Sequence, residues 1–156
     1  MTAFTAQALH DFIVRAKAHS YVGGGKKSLS YRPGSHDLQY HEDEFSYLDS
    51  YFGGTDFLGQ EVVYHANQPV WAMNYYGKIL RPDLYTGALA GQVIQESLRK
   101  LYQTGYFLGN SEHATNQGNY FDTNQGNVTS FTGYEWIEYA GAKVYELHYH
   151  GGLVKE

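Results

Sequence analysis

The chain contains no cysteine among its 156 residues, which excludes disulfides and thiolate metal sites. That composition fits the cytoplasm, where thiols stay reduced and disulfides are rare. No apolar run approaches the roughly 20 residues a membrane-spanning helix requires. The first residues, Met1-Thr-Ala-Phe-Thr-Ala-Gln7, have neither a basic start nor an apolar stretch, so a secretory signal is not expected there. Positive charge is also scarce. Eleven Lys and Arg stand against 16 Asp and Glu, and Lys26-Lys27 and Arg99-Lys100 are the only adjacent basic pairs. A nucleic-acid surface should be basic, so neither nucleic acid nor a membrane is an expected partner.

What is plentiful is tyrosine, with 16 residues. An apolar ring with a polar tip suits wet pockets and interfaces. Tyrosine is also a good strand former, which explains part of the number without function. The most informative feature is an internal repeat. Residues 57–80 and 131–154 align without a gap, with Phe57/Phe131, Gly59/Gly133, Glu61/Glu135, Ala66/Ala140, Val70/Val144, Tyr75/Tyr149 and Gly77/Gly151 identical. A repeat constrains architecture and names no reaction.

Turn and periodicity signals order the rest. A first helix is expected over about Ala6 to His19. Thr5 is its N-cap, Phe4 and Leu9 have staple spacing, and Leu9, Phe12, Ile13 and Ala16 form its apolar stripe. Strands are expected at Ser28–Tyr31, Leu38–His41 and Phe45–Phe52, then a hairpin. A second helix is expected over about Ala88 to Gln103, capped by Thr86 and stopped by a left-handed Gly105. Thr115-Asn-Gln-Gly-Asn119 and Thr123-Asn-Gln-Gly-Asn127 read as loops bracketing a short strand, Tyr120–Asp122. The expected fold is therefore α+β: one domain over 1–156 with an internal repeat (approximately 5–80 and 87–154). Its two αβββ units form an antiparallel sheet or open barrel with two packed helices.

Two-residue turns at Asn67-Gln68 and Gly141-Ala142 would set the hairpin registers. Trp71 would then face Tyr64, Glu61 would face Asn74, and Glu135 would face His148. One hairpin face would carry Val62, Tyr64, Trp71, Met73, Tyr75, Trp136, Tyr145, Leu147 and Tyr149, and lie beneath the helices. The other face would carry Glu61, Val63, Asn74, Tyr76, Glu135, Ile137, Glu146, His148 and His150. Acids, histidines and apolar residues mixed on one face suit a concave, partly buried surface. They equally suit cross-strand ion pairing with no ligand.

Other chemistry is thinly signalled. His148-Tyr-His150 has same-face spacing for two metal ligands, with Glu135 or Glu146 as a carboxylate, but such spacing is common and no metal is assigned. The cluster His36, Asp37, His41, Glu42 and Asp43 lies beside turn residues and reads as exposed. Gly23–Gly25 leads into a strand and lacks phosphate-loop spacing. There is no Gly-x-Ser-x-Gly elbow. No catalytic residue and no cofactor is assigned.

Several segments resemble a family. Tyr47-Leu-Asp-Ser-Tyr-Phe-Gly53, Phe57-x-Gly-x-Glu-Val-Val63, Trp71-x-Met-Asn-Tyr-Tyr-Gly77, Phe131-x-Gly-x-Glu135 and Tyr145-Glu-x-x-Tyr-His-Gly-Gly152 are similar to an uncharacterised bacterial domain family. Its members occur alone or behind an Xre-type helix-turn-helix. The resemblance implies a sensor-like domain and supplies no catalytic residues, because the family has no established activity. This chain carries no recognisable DNA-binding region, so direct transcriptional control is not expected. By fold-level analogy, duplicated small α/β modules also resemble effector-binding domains of multidrug-responsive regulators, which enclose ligands with aromatic residues and a glutamate.

The expected function is that of a small-molecule-binding, effector-sensor-like domain. Its ligand, small and cationic or aromatic, would meet Glu61, Asn74, Tyr76, Glu135, Glu146, His148 and His150. At least one of the paired glutamates Glu61 and Glu135 should be desolvated enough to hold its proton more tightly than usual, Glu61 more than Glu135 because His148 would moderate the latter. The alternatives are a hydrolase or isomerase using Glu135 and His148 as an acid–base pair, and an interaction module that homodimerises through a sheet edge.

Overall fold

A computed structural model describes residues 4–156 of the chain. Helix α1 (Ala6–His19) and helix α2 (Gly87–Gln103) begin at Thr5 and Thr86, whose side chains accept from Ala8 N–H and Leu89 N–H. Both caps were legible from spacing alone. The expected stripe of α1, Leu9, Phe12, Ile13 and Ala16, is fully buried. Gly105, with φ of 85°, ends the α2 region as its position predicts.

The strands are β1 (Lys27–Ser28), β2 (His36–Glu42), β3 (Phe45–Gly53), β4 (Phe57–His65), β5 (Gln68–Ile79), β6 (Ser111–Thr115), β7 (Gly118–Asn127), β8 (Ser130–Tyr139) and β9 (Ala142–Leu153). They form one antiparallel sheet in the order β1-β2-β3-β4-β5-β9-β8-β7-β6, open at β1 and β6. The mixed α+β class holds. The strand content is larger than two αβββ units: four strands follow α2, and five lie between α1 and α2. The segment Thr123–Asn127, expected to be a loop, continues β7 and pairs with β8 as far as Asn127↔Ser130. Only the first of the two Asn/Gln/Gly clusters is a turn, between β6 and β7. Strand pairing by the neighbouring β8 overrides the turn preference of the second.

The hairpin registers differ from expectation by one residue. The first turn is Ala66-Asn67, with φ of 49° and 64°, and the second is Ala140-Gly141, with φ of 51° and 76°. Two consecutive positive φ values are what a type I′ hairpin turn requires. An irregularity follows in each hairpin, between Val63 and Tyr64 and between Ile137 and Glu138. Trp71 therefore pairs with Val63, Glu61 with Met73, and Glu135 with Leu147. A one-residue slip exchanges the faces of a strand. On β5 and β9 the expected faces stand. On β4 and β8 they are reversed, so Glu61, Val63, Glu135 and Ile137 lie beneath the helices while Val62, Tyr64 and Trp136 point away.

The core fills the space between the sheet and both helices. Trp71 is completely buried, stacks on Phe131 at 5.8 Å, meets Phe107 edge-on at 5.9 Å, and donates its indole N–H to the Val128 carbonyl at 2.9 Å. Its neighbour is not Tyr64, as the other register required. At the centre, β5 pairs with β9 so that Tyr75 lies directly opposite Tyr149. Among the described residues, no helix is long and apolar enough to cross a membrane.

Candidate functional site

Alternation along the central strands aims one set of side chains at the helices. From β3 these are Tyr47, Asp49 and Tyr51, from β4 Glu61, and from β5 Met73 and Tyr75. From β7, β8 and β9 they are Asp122, Glu135, Tyr145, Leu147 and Tyr149. Helices α1 and α2 close the other side with Lys17, Ala90, Gly91, Ile94, Leu98 and Tyr102, and Tyr21 and Phe107 add to the wall. The result is a cavity of about 340 Å³. Of its lining residues, Lys27, Gly53, Gly54 and Thr55 are exposed and mark where it opens.

Four carboxylates, each about 5% exposed, stand in that lining: Asp49, Glu61, Asp122 and Glu135. Buried charges need partners, and their partners are tyrosines and one lysine. Lys17 donates to both Glu61 oxygens, at 2.9 and 2.7 Å, and Tyr47 donates to Oε1. The same ammonium lies 3.4 Å from the Met73 sulfur and 5.6 Å from the centre of the Phe107 ring. Glu135 accepts from Tyr120 on one oxygen and from Tyr145, at 2.8 Å, on the other. Tyr75 donates to Asp49 at 2.5 Å, and Tyr149 donates to Asp122 at 2.8 Å.

The two halves of the sheet carry the same arrangement. Asp49 pairs across the sheet with Glu61, and Asp122 with Glu135. In each half a Tyr-x-Asp segment, Tyr47-Leu-Asp49 or Tyr120-Phe-Asp122, places its tyrosine on the glutamate and its aspartate on a tyrosine of the central strands. The halves differ in the second partner of the glutamate, which is Lys17 for Glu61 and Tyr145 for Glu135.

Burial dominates the electrostatics. Desolvation, reinforced by the neighbouring Glu61 charge, raises the Asp49 pKa to about 7, against opposing help from Tyr75 and Lys17. Asp122 is likewise raised to about 7, by desolvation and by Glu135, while Tyr149 and Asn124 pull it down. Desolvation also raises the pKa of Glu135, although its two tyrosine donors and Lys17 oppose this, so the raised glutamate is the one that His148 was expected to moderate. The phenols of Tyr47, Tyr75, Tyr102, Tyr120 and Tyr145 are pushed well above their usual range, by burial first and the nearby carboxylates second. Tyr47, Tyr75, Tyr120 and Tyr145 act as neutral hydrogen-bond donors, and Tyr102 is an aromatic wall.

The residues expected at a site are thus divided. Glu61 and Glu135 line the cavity. Asn74, Tyr76, Glu146, His148 and His150 lie on the opposite face of the sheet. There Asn74 meets His150 at 3.4 Å, Tyr134 donates to Glu146 at 2.8 Å, and His148 packs on the Tyr134 ring at 4.6 Å. Tyr76 is exposed. Glu135 and His148 do not pair, because His148 stands opposite Tyr134 and points away from the cavity. An acid–base couple of these two is therefore excluded, and the reason is the one-residue register difference. The sequence reading missed Asp49, Asp122, Lys17 and the tyrosines that bind the acids. Their signal was present in the second Tyr-x-Asp, which aligns with the first once the alignment of residues 57–80 with 131–154 is extended toward the N-terminus with a one-residue gap. Among the described residues, no group of three or more His, Asp or Glu is placed to hold a metal ion.

No curated protein and no solved structure matches the chain. A family model does match, over residues 49–154. The match runs from Asp49 to the end of β9 and so includes all four cavity carboxylates, Tyr75 and Tyr149, while α1 with Lys17 lies before it. The chain belongs to the family described as Domain of unknown function (DUF5680).

Proposed function

We propose that this protein is a small-molecule-binding domain whose ligand is cationic and enters the cavity between the sheet and the two helices. The observation that carries this reading is the charge of the lining. Four buried carboxylates face one buried lysine, Lys17, which is bound to one of them, while the other lysine of the lining, Lys27, is exposed at the mouth. Tyrosine rings around acidic groups favour an organic cation by cation–π attraction as well as by charge. A volume of about 340 Å³ falls at the lower end of small-ligand pockets. An anion would meet carboxylates on several walls.

We also infer a single domain made of two duplicated units, approximately 5–80 and 87–154. The support is the recurrence of Thr cap, helix, Tyr-x-Asp, Gly-x-Glu and tyrosine in each half. The facing of Tyr75 and Tyr149 adds to it, because it puts equivalent residues on a local two-fold axis through the middle of the sheet. A pocket on such an axis presents the same chemistry from two sides.

The test is calorimetric titration with cations and their neutral isosteres, hexylamine against hexanol and benzyltrimethylammonium against neopentylbenzene. The cations should bind and the neutral compounds should not, and the double substitution Asp49→Asn with Asp122→Asn should remove the difference. Equal binding of charged and neutral probes, or no binding of any cation, would overturn the reading.

A further inference from the structure

The four cavity carboxylates are of two kinds. Glu61 and Glu135 have both oxygens occupied by the protein's own donors, Lys17 and Tyr47 in one case and Tyr120 and Tyr145 in the other. Asp49 and Asp122 are as deeply buried, at 5% and 4% exposure, yet among the described residues each accepts one side-chain hydrogen bond, on Oδ1. The Asn124 amide lies near enough to Asp122 to favour its charged form, but its hydrogen bonds go to the Gly109 carbonyl at 3.1 Å and the Tyr149 hydroxyl at 3.2 Å. A carboxylate has about four acceptor sites, so each aspartate, itself part of the lining, keeps acceptor capacity for a ligand.

The two aspartates stand on opposite walls. Four strands, β4, β5, β9 and β8, separate β3 from β7. Tyr75 and Tyr149 start from facing positions at the centre and lean outward, Tyr75 across Gly59 toward Asp49 and Tyr149 across Gly133 toward Asp122. Between the two acids the lining carries Glu61 with Lys17 on β4's side and Glu135 on β8's, each already bonded within the protein, and an apolar middle of Met73 and Leu147 on the sheet and Ala90, Ile94 and Leu98 on α2.

Resting on the cationic-ligand reading above, we propose that the ligand is an elongated dication, two ammonium heads joined by an apolar spacer, with one head on Asp49 and the other on Asp122. A single-headed cation leaves one buried carboxylate without a partner. A dication satisfies both, and its spacer covers the apolar middle. The glutamates then serve to hold the walls, Glu61 bound by Lys17 and Tyr47 and Glu135 by two tyrosines, and the two aspartates are left for the two heads.

The probes are linear α,ω-diamines of six, eight and ten carbons, with the monoamines of equal length, titrated calorimetrically into the full chain. The best diamine should bind at least about tenfold more tightly than its monoamine, because the second head adds an intramolecular contact. Asp49→Asn and Asp122→Asn should each reduce the diamine to the affinity of the monoamine, and change monoamine binding by no more than about threefold, since the other aspartate remains. Asparagine keeps the shape and removes a buried charge, and thermal melts of each variant confirm that it folds. If monoamines bind as well as every diamine, or if only one of the two substitutions weakens the diamine, the dication is overturned while the cationic reading stands. If no amine of either kind binds, both fall together.

Discussion

The Tyr149 ring lies across Gly133, its register partner on the neighbouring strand, so closely that a Cβ on Gly133 would come within 1.8 Å of the ring. Tyr75 lies across Gly59 in the same way, with its hydroxyl 2.4 Å from where a Cβ would be. The pairing explains why glycine and tyrosine occur together in both hairpins. Each glycine gives a tyrosine room to lie flat on the sheet, and each tyrosine reaches a buried aspartate.

Gly133→Ala should therefore push Tyr149 off its place and loosen its bond to Asp122, at a cost of about 1–3 kcal/mol from overpacking. Gly54 lies in the β3–β4 turn with nothing near its would-be Cβ, and Gly54→Ala should change stability by less than about 0.5 kcal/mol. Urea unfolding of the two variants separates a steric cause from a general effect of replacing glycine.

Trp71→Ala should cost about 3–5 kcal/mol, by opening a cavity against Phe107 and Phe131. Trp71→Phe should cost less but not nothing, because the Val128 carbonyl loses its indole donor. Denaturant midpoints rank the two, and a loss under about 1 kcal/mol for Trp71→Ala would contradict complete burial.

Much of this architecture was legible before any coordinates, and the illegible part has a specific cause. Helix caps are local: Thr5 and Thr86 bond backbone N–H groups three residues away, and sequence spacing suffices to find them. Strand faces are not local. The register of β4 on β5 depends on the Ala66-Asn67 turn and on the irregularity after Val63. Moving the turn by one residue shifts the pairing by two and keeps the faces; the irregularity changes it by one, and that odd step puts Glu61 opposite Met73 on the core face. Neither Ala66 nor Ala140 announces a positive φ, since alanine has no side-chain bond to favour it. The glycines held better information than the turn residues. Setting Gly59 opposite Tyr75 and Gly133 opposite Tyr149 fixes both registers and carries both glutamates into the cavity. The Tyr-x-Asp segments could be found by extending the same alignment of the two hairpin segments, but pairing each aspartate with a particular tyrosine needed the fold.

Lys17→Met should be strongly destabilising, by about 3–5 kcal/mol, because it leaves the Glu61 carboxylate buried beside Met73 without its cation. Adding Glu61→Gln to that variant should recover most of the loss, since the uncompensated charge goes with it. A double-mutant cycle from urea titrations gives the coupling directly. If the second substitution makes matters worse, the pair is not held by mutual compensation, and Tyr47 rather than Lys17 is the essential partner of Glu61.

The aspartates set a pH dependence whose direction is opposite to ordinary acid denaturation. Burial and the adjacent glutamates raise Asp49 and Asp122 from 3.8 to about 7, so the folded chain binds protons that the unfolded chain has already released. Their contribution to stability is complete below the unfolded value near 4 and is lost as the pH rises through 7. Between those limits each aspartate gives a slope of about −1.4 kcal/mol per pH unit. Asp37 and Glu42, whose pKa values are lowered by hydrogen bonds from Tyr31 and Ser50 and from Arg15 respectively, act in the other direction, but only below their unfolded values. The ligand-free protein should therefore be more stable at pH 5 than at pH 7.5. Asp49→Asn should flatten the curve by one aspartate's share, and Asp49→Asn with Asp122→Asn by both. Urea midpoints measured from pH 4.5 to 8 test this, and a wild-type curve that rises with pH across that range would mean both aspartates stay ionised in the fold.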